Sequence, residues 1–179
     1  SCTNPVAPVA TAATVVGVSG FTANWTQGAA GDYDTYTLEV ATDAAFTTIV
    51  QTQTAIASGS PKTYSVTGLS ESTTYYYRVT AVNIDNIESL YSNELFANSF
   101  GVTVLDSPSN NKVKEILKPT FKWQSVEFAT KNNIQISTDS LFAISPVLDT
   151  VTALTNLIYT KGLSDNTTYY WRIRVGDDN

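Results

Sequence analysis

One phrase in this chain occurs twice. Gly68-Leu69-Ser70-Glu71-Ser72-Thr73-Thr74-Tyr75-Tyr76-Tyr77-Arg78-Val79 returns about 94 positions later as Gly162-Leu163-Ser164-Asp165-Asn166-Thr167-Thr168-Tyr169-Tyr170-Trp171-Arg172-Ile173. Two shorter matches precede it in the same order. Phe21-Thr22-Ala23-Asn24-Trp25 is answered by Phe121-Lys122-Trp123, and the stretch from Tyr36 through Asp43 to Phe46 by the stretch from Ile134 through Asp139 to Phe142. A period this long is too large for a solenoid repeat and suits a complete small β-domain. The 179 residues hold two such domains, each large enough to bury a core. The matches place a linker over 1–4, a first domain over 5–98 and a second over 99–179.

Alternation within the first copy assigns strands and faces. Strands are predicted near 6–16, 20–26, 34–42, 47–53, 62–66, 73–82 and 90–97. Phe21, Ala23 and Trp25 point inward, as do Tyr36, Leu38 and Val40, and Tyr75, Tyr77, Val79 and Ala81. Thr22, Asn24, Thr37, Glu39, Tyr76, Arg78 and Thr80 point outward. Turn-forming residues separate the runs: Gly28 to Asp32, Ser58-Gly59-Ser60-Pro61, and Asn83-Ile84-Asp85-Asn86. Many short strands, regular turns and no helical stripe give an all-β class and a sandwich architecture, twice over. The structural core is expected at Trp25, Tyr75, Trp123 and Tyr169.

Composition narrows the function classes. The net charge is −6 and Lys plus Arg number only 10, which disfavours nucleic acid, whose phosphates need clustered cations. No run of apolar residues is long enough to span a membrane as a helix. Charged residues make up 15%, so the surface is largely Thr, Ser, Asn and Gln, as on an extracellular protein. Cys2 is the single cysteine, which excludes an intrachain disulfide. It reads either as a linker thiol or as a lipidated terminus.

The chain contains no histidine, which removes Ser-His-Asp and Cys-His catalysis and His-based metal sites. No phosphate loop is present, and the acids sit on turns or outward faces. No catalytic residue, cofactor or metal is therefore assigned, and the chain is not expected to be an enzyme. Asp43 and Asp139 each precede a Phe by three residues and read either as calcium ligands or as turn caps with the Phe tucked beneath. Asp177-Asp178-Asn179 reads as an oxygen cluster or a hairpin turn. Tyr76 and Arg78, with Tyr170, Arg172 and Arg174, form a candidate interaction face, or else local cation–π stacks. Glu39 is placed to pair with Arg78. Tyr33, Tyr76 and Tyr170 are the candidate aromatics for a carbohydrate.

With Trp25, Gly68-Leu69 and Tyr75, and again Trp123, Gly162-Leu163 and Tyr169, the chain resembles tandem fibronectin type III domains. The resemblance implies an immunoglobulin-like sandwich and a tyrosine corner, in which the hydroxyls of Tyr75 and Tyr169 bond back to upstream backbone. It is nearly silent on activity. The phrases Phe21 to Trp25, Ala41-Thr42-Asp43 to Phe46, Thr73 to Asn83 and Tyr91-Ser92-Asn93-Glu94 are similar to modules of secreted and surface proteins of the Bacteroidota, many exported by the type IX route. That likeness implies an extracellular or cell-surface location, and O-glycan attachment at Ser140 and Thr150.

The resemblance also implies that the second copy lacks its last strand in this chain. Residues 167–175 then offer an edge that the continuing chain or a donated strand completes. The leading expectation is a non-catalytic spacer, stalk or filament building block of a longer bacterial surface or secreted protein. Its partners would be protein or cell-surface contacts and neighbouring domains of the same chain. The alternatives are an accessory spacer or carbohydrate-associated region of a secreted hydrolase, and a polymerising subunit completed by strand donation.

Overall fold

The computed structural model describes residues 4–27, 33–59, 61–112 and 116–177. Cys2, the turn from Gly28 to Asp32, Ser60, Asp178 and Asn179 lie outside the described residues. Contacts divide the chain into two units, one ending at Ser99 and the other beginning at Phe100.

The first unit is a sandwich of two antiparallel sheets. β1 (Val9–Thr14), β2 (Gly20–Thr26) and β5 (Thr63–Thr67) form one sheet in the order β1-β2-β5. β3 (Thr35–Ala41), β4 (Ile49–Ala57), β6 (Thr74–Val82) and β7 (Leu95–Asn98) form the other, in the order β4-β3-β6-β7. The predicted alternation holds on the inner faces, because successive strand residues point to opposite sides. Phe21, Ala23 and Trp25 meet Tyr36, Leu38, Val40, Tyr75, Tyr77, Val79 and Ala81 in one buried cluster. Trp25 packs edge-on to Tyr36 and Phe21 packs against Tyr77, each with ring centroids 5.4 Å apart. Large side chains buried this way stabilise by about 1.5–3 kcal/mol each.

A buried phenol needs a hydrogen-bond partner. The Tyr36 hydroxyl donates to Gln27 Oε1 and the Tyr77 hydroxyl to the Thr11 carbonyl. Burial raises the Tyr36 phenol well above its ordinary range and pushes that of Tyr77 up to about 12.

Three expectations change. Thr80, placed on the outer face, is only 2% exposed, on the face where the ring of Tyr91 lies over neighbouring Arg78. The first strand shortens to Val9–Thr14, with a register shift between Thr11 and Thr14, while the fourth extends to Ala57. The last strand begins at Leu95, not at 90. Upstream of it, serines stand in for a regular ladder: Ser92 Oγ accepts from the Val79 amide at 3.0 Å, and Ser89 Oγ from the Ala81 amide at 2.9 Å. The return turn is built by Asn83, whose Oδ1 accepts from the amides of Asp85 and Ile87.

The second unit repeats the plan. β8 (Leu105–Ser107), β9 (Thr120–Trp123) and β12 (Asn156–Ile158) form a sheet in the order β12-β9-β8. β10 (Lys131–Ser137), β11 (Leu148–Thr152) and β13 (Tyr170–Gly176) form the order β11-β10-β13. Phe121, Trp123, Ile134, Ile136 and Tyr159 are its buried core. Among the described residues no strand pairs with the free side of β13, whereas its counterpart β6 lies between β3 and β7.

Candidate functional site

The outer face of the β4-β3-β6-β7 sheet gathers the candidate residues of the first unit. Glu39 on β3 lies directly opposite Arg78 on β6 in the antiparallel register. The guanidinium grips that carboxylate: Nε donates to Glu39 Oε2 at 2.8 Å, and a terminal nitrogen lies 2.7 Å from the same oxygen. It is also sandwiched between two rings, with its carbon 4.1 Å from the Phe46 centroid and 3.5 Å from that of Tyr91. Arg78 therefore makes the paired and stacked contacts of a local structural element. Tyr76 beside it packs against Phe96 at 6.4 Å with the rings 54° apart, and Phe96 is 60% exposed.

Phe46 reaches its place through the turn before it. Asp43 Oδ1 accepts from the Thr47 amide at 3.0 Å and Oδ2 from the Thr48 amide at 2.7 Å. The carboxylate thus closes a turn that holds Phe46 at φ 55°, a left-handed conformation that a bulky side chain rarely adopts. The same device recurs downstream. Asp139 Oδ1 accepts from Leu141, its Oδ2 accepts from Ala143 and Ile144, and Phe142 sits at φ 54° with the Arg172 carbon 4.0 Å above its ring. These donors hold both carboxyls below the usual carboxylate range: chiefly the Thr47 amide for Asp43 and the Leu141 amide for Asp139. Of the two readings of Asp43 and Asp139, this geometry is the turn cap.

The second unit alters the charge pattern. Gln135 stands where Glu39 stood, and its Oε1 accepts from Arg172 Nε at 2.7 Å. Gln135 Nε2 passes the contact on to Asp149 Oδ2 at 2.7 Å, and Asn133 Nδ2 holds Asp149 Oδ1 at 2.6 Å. The Asn133 and Gln135 amides, then Arg174 and Arg172, keep the Asp149 carboxyl below its ordinary value. Tyr170 and Arg174 are exposed on the same strand. Ser140 is exposed in the Asp139 turn, while Thr150 is half-buried on β11 opposite Ile134. Tyr33 does not join an aromatic row. It packs on Tyr36 at 5.6 Å with the Lys62 ammonium 5.7 Å from its ring.

The corner tyrosines stand where the paired phrases placed them. The Tyr75 hydroxyl accepts from the Ser70 amide at 2.9 Å and the Tyr169 hydroxyl from the Ser164 amide at 3.1 Å. Each bond pins the chain entering the sixth strand of its unit to the turn just before it. Residues 6–97 match the model of the fibronectin type III domain. The chain belongs to the fibronectin type III family. Among solved structures, a segment of two fibronectin type III domains from chicken tenascin is similar over 98% of this chain and 92% of its own, at 13% identity and TM-score 0.39. A fibronectin type III domain of human fibronectin type III domain containing protein 3 is similar over 63% of this chain and 97% of its own, at 20% identity and TM-score 0.43. A β-1,2-glucanase from Parabacteroides distasonis is similar over 55% of this chain, at 21% identity and TM-score 0.43. This fibronectin type III chain spans 13% of the glucanase's length. No curated protein sequence matches it.

Sequence reasoning paired Arg78 with Glu39 but missed Tyr91 as the second ring. Tyr91 lies outside any strand, and its partner is visible only once the connection from Asn83 returns along β6. It also missed the Gln135–Asp149 relay, which depends on β11 pairing with β10 so that Asp149 lies opposite Gln135.

Proposed function

We propose that this chain is a non-catalytic structural module, a spacer within a longer extracellular or cell-surface protein. One observation carries the reading: the charged groups that the folds bring together are occupied in holding the folds. Arg78 is matched by Glu39 and two rings, and Asp43 and Asp139 by backbone amides. Fibronectin type III domains are generally non-catalytic, and the lack of histidine in this chain supports the same conclusion. A surface rich in hydroxyl and amide side chains, with few charges, supports an extracellular setting. Contacts with neighbouring domains and with other surface proteins follow from a spacer's position.

The test is replacement. Exchanging residues 5–177 in the parent protein for an unrelated pair of β-sandwiches of equal length should leave the parent's activity intact. An antibody against the chain should label intact cells or the culture medium. Loss of activity on replacement, with the parent still folded and exported, would overturn the spacer reading. Labelling that appears only after lysis would overturn the location.

A further inference from the structure

The strand edges of the first unit are not all protected. An unpaired edge presents a row of free N–H and C=O groups, and proteins blunt such edges with short strands, charges, proline or a cover. β1 is stapled by a side chain: Asn93 Oδ1 accepts from the Ala10 amide at 2.9 Å, and its Nδ2 donates to the Ala10 carbonyl at 3.1 Å. β5 has five residues and follows directly on Pro61-Lys62. β4 is the exception. It runs for nine residues, Ile49-Val50-Gln51-Thr52-Gln53-Thr54-Ala55-Ile56-Ala57, without a charge, a proline or a glycine. It pairs with β3 on one side, and among the described residues no strand lies on the other. The chain on either side of it is in place, since β3 precedes it and β5 follows it in the opposite sheet. Its counterpart in the second unit, β11, has five residues, carries Asp149 and comes shortly after Pro146.

The middle of β4 is regular. Gln51, Thr52 and Gln53 lie opposite Val40, Glu39 and Leu38, and the register shifts fall toward the ends of the strand. Val40 and Leu38 are buried, so Gln51 and Gln53 share the inner side and Thr52 takes the outer one. Thr52 is exposed, as are Ile49 and Val50. The two inner amides are unevenly satisfied. Gln53 Oε1 accepts from the Tyr64 hydroxyl at 2.9 Å, and its Nε2 donates to the Thr54 carbonyl at 3.2 Å. An amide nitrogen carries two donors, so Gln53 has one to spare. Gln51 Oε1 is buried and accepts no hydrogen bond, a state that few buried acceptors keep.

We propose that β4 is a self-association edge. Two copies of this chain pair antiparallel along it, about a two-fold axis at Thr52, and join their β4-β3-β6-β7 sheets into one continuous sheet. Such an axis keeps the inner sides together and sets Gln51 opposite Gln53 of the second copy. Turning the Gln51 amide toward the edge gives its Oε1 a donor, the spare N–H of that Gln53, and the symmetry makes the bond twice. On the outer side Thr52 meets Thr52 of the second copy, and hydroxyl pairs across strands are favourable. Each copy carries a net charge of −6, but β4 has no charged residue, so no like charges are brought together along the seam. This uncharged middle, in which the group left unpaired in one copy matches the group left over in the other, selects a second copy as the occupant. Main-chain bonds supply the affinity, as in other strand additions. The inference does not depend on the spacer reading.

The experiment follows the full chain, with Cys2→Ser to remove its thiol, by sedimentation equilibrium from micromolar to millimolar concentration. A single strand edge makes a contact smaller than a standard interface, so a weak and reversible monomer–dimer equilibrium is expected. At the highest concentration amide hydrogen exchange should slow along β4 and not along β11. Thr52→Lys sets two ammonium groups opposite each other across the axis and should weaken association by about tenfold or more. Gln51→Ala and Gln53→Ala should each weaken it, and the double variant should lose little beyond either one, because both end the same bond. Exchange of the β6 amides in the dilute monomer checks that each variant is folded. Residues directly opposite in an antiparallel pair have Cα atoms about 4.5–5.5 Å apart, within reach of a disulfide. Thr52→Cys should therefore oxidise to a covalent dimer, and Thr26→Cys, exposed on a central strand, should not. A chain that stays monomeric at millimolar concentration would overturn the proposal. So would association that Thr52→Lys leaves unchanged, or protection that appears on another edge in place of β4.

Discussion

Arg78→Ala should destabilise the first unit by about 2–3 kcal/mol. The guanidinium carbon lies 3.5 Å and 4.1 Å from two ring centroids, well inside the range in which cation–π attraction is felt. The side chain is only 18% exposed, so each ring contributes about 1 kcal/mol, toward the upper part of the range for exposed sites. The ion pair with Glu39, at 2.7 Å and with both partners partly shielded, adds about 0.5–1 kcal/mol after solvent screening. Arg78→Lys keeps the charge but loses the planar group that two rings clasp, and should cost about 1–2 kcal/mol. Native-state hydrogen exchange of the slowest amides in β3 and β6 isolates the first unit's opening free energy from the second's. Glu39→Gln combined with Arg78→Ala should cost little more than Arg78→Ala alone, because the carboxylate then has no guanidinium to lose. A loss below about 0.5 kcal/mol for Arg78→Ala, the scale of an ordinary surface substitution, would refute the structural role of this cluster.

Trp25→Ala and Trp123→Ala should each cost about 3–5 kcal/mol in denaturant titrations, since both indoles are buried between sheets; a near-wild-type midpoint would contradict their placement. Tyr75→Phe should cost about 1–2 kcal/mol through the orphaned Ser70 amide, and Tyr169→Phe less, because Tyr169 is more exposed and water can replace its hydroxyl; equal losses would undo that distinction. Asp43 and Asp139 have folded pKa values below the ordinary 3.8, so their contribution is complete above that value and is lost as pH falls through the depressed folded values. A stability–pH curve of Asp43→Ala/Asp139→Ala should show a shallower acid limb than wild type, and an unchanged limb would contradict the caps. Gly20→Ala should destabilise by about 1–3 kcal/mol or more, because a Cβ there would lie 2.2 Å from the Val66 carbonyl oxygen; tolerance of alanine would mean that β2 and β5 separate easily.

What was legible in the sequence is what period and local chemistry control. The alternation of Phe21, Ala23 and Trp25 faces a core because a strand has no other way to bury three apolar side chains on one side. Asp43 and Asp139 announce their turns because a carboxylate reaches amides four and five residues ahead without help from the rest of the fold. Gly20 gave no such warning. Its need for a bare Cα comes from the Val66 carbonyl, which arrives on β5 far along the chain. Tyr91 and Asp149 were equally silent, because each acquires its partner only when a second strand sets the register.

The same distinction explains how the copies diverged. The Asp-to-Phe turn and the corner tyrosine are local, so each copy can keep them whatever its neighbours do. The Arg78 clasp is non-local, since it needs a carboxylate on one flanking strand and a ring from the segment on the other side. In the second unit the carboxylate has moved one strand outward, from the position of Glu39 to Asp149, with Gln135 bridging the gap. Arg172 thereby keeps a chain of hydrogen bonds to an anion but loses the direct contact with a carboxylate that Arg78 makes. The relay predicts that Gln135→Ala and Asp149→Ala destabilise the second unit non-additively, because each interrupts the same chain of hydrogen bonds to Arg172. A double-mutant cycle read by hydrogen exchange of the β10 and β13 amides checks this, and strictly additive losses would contradict the relay.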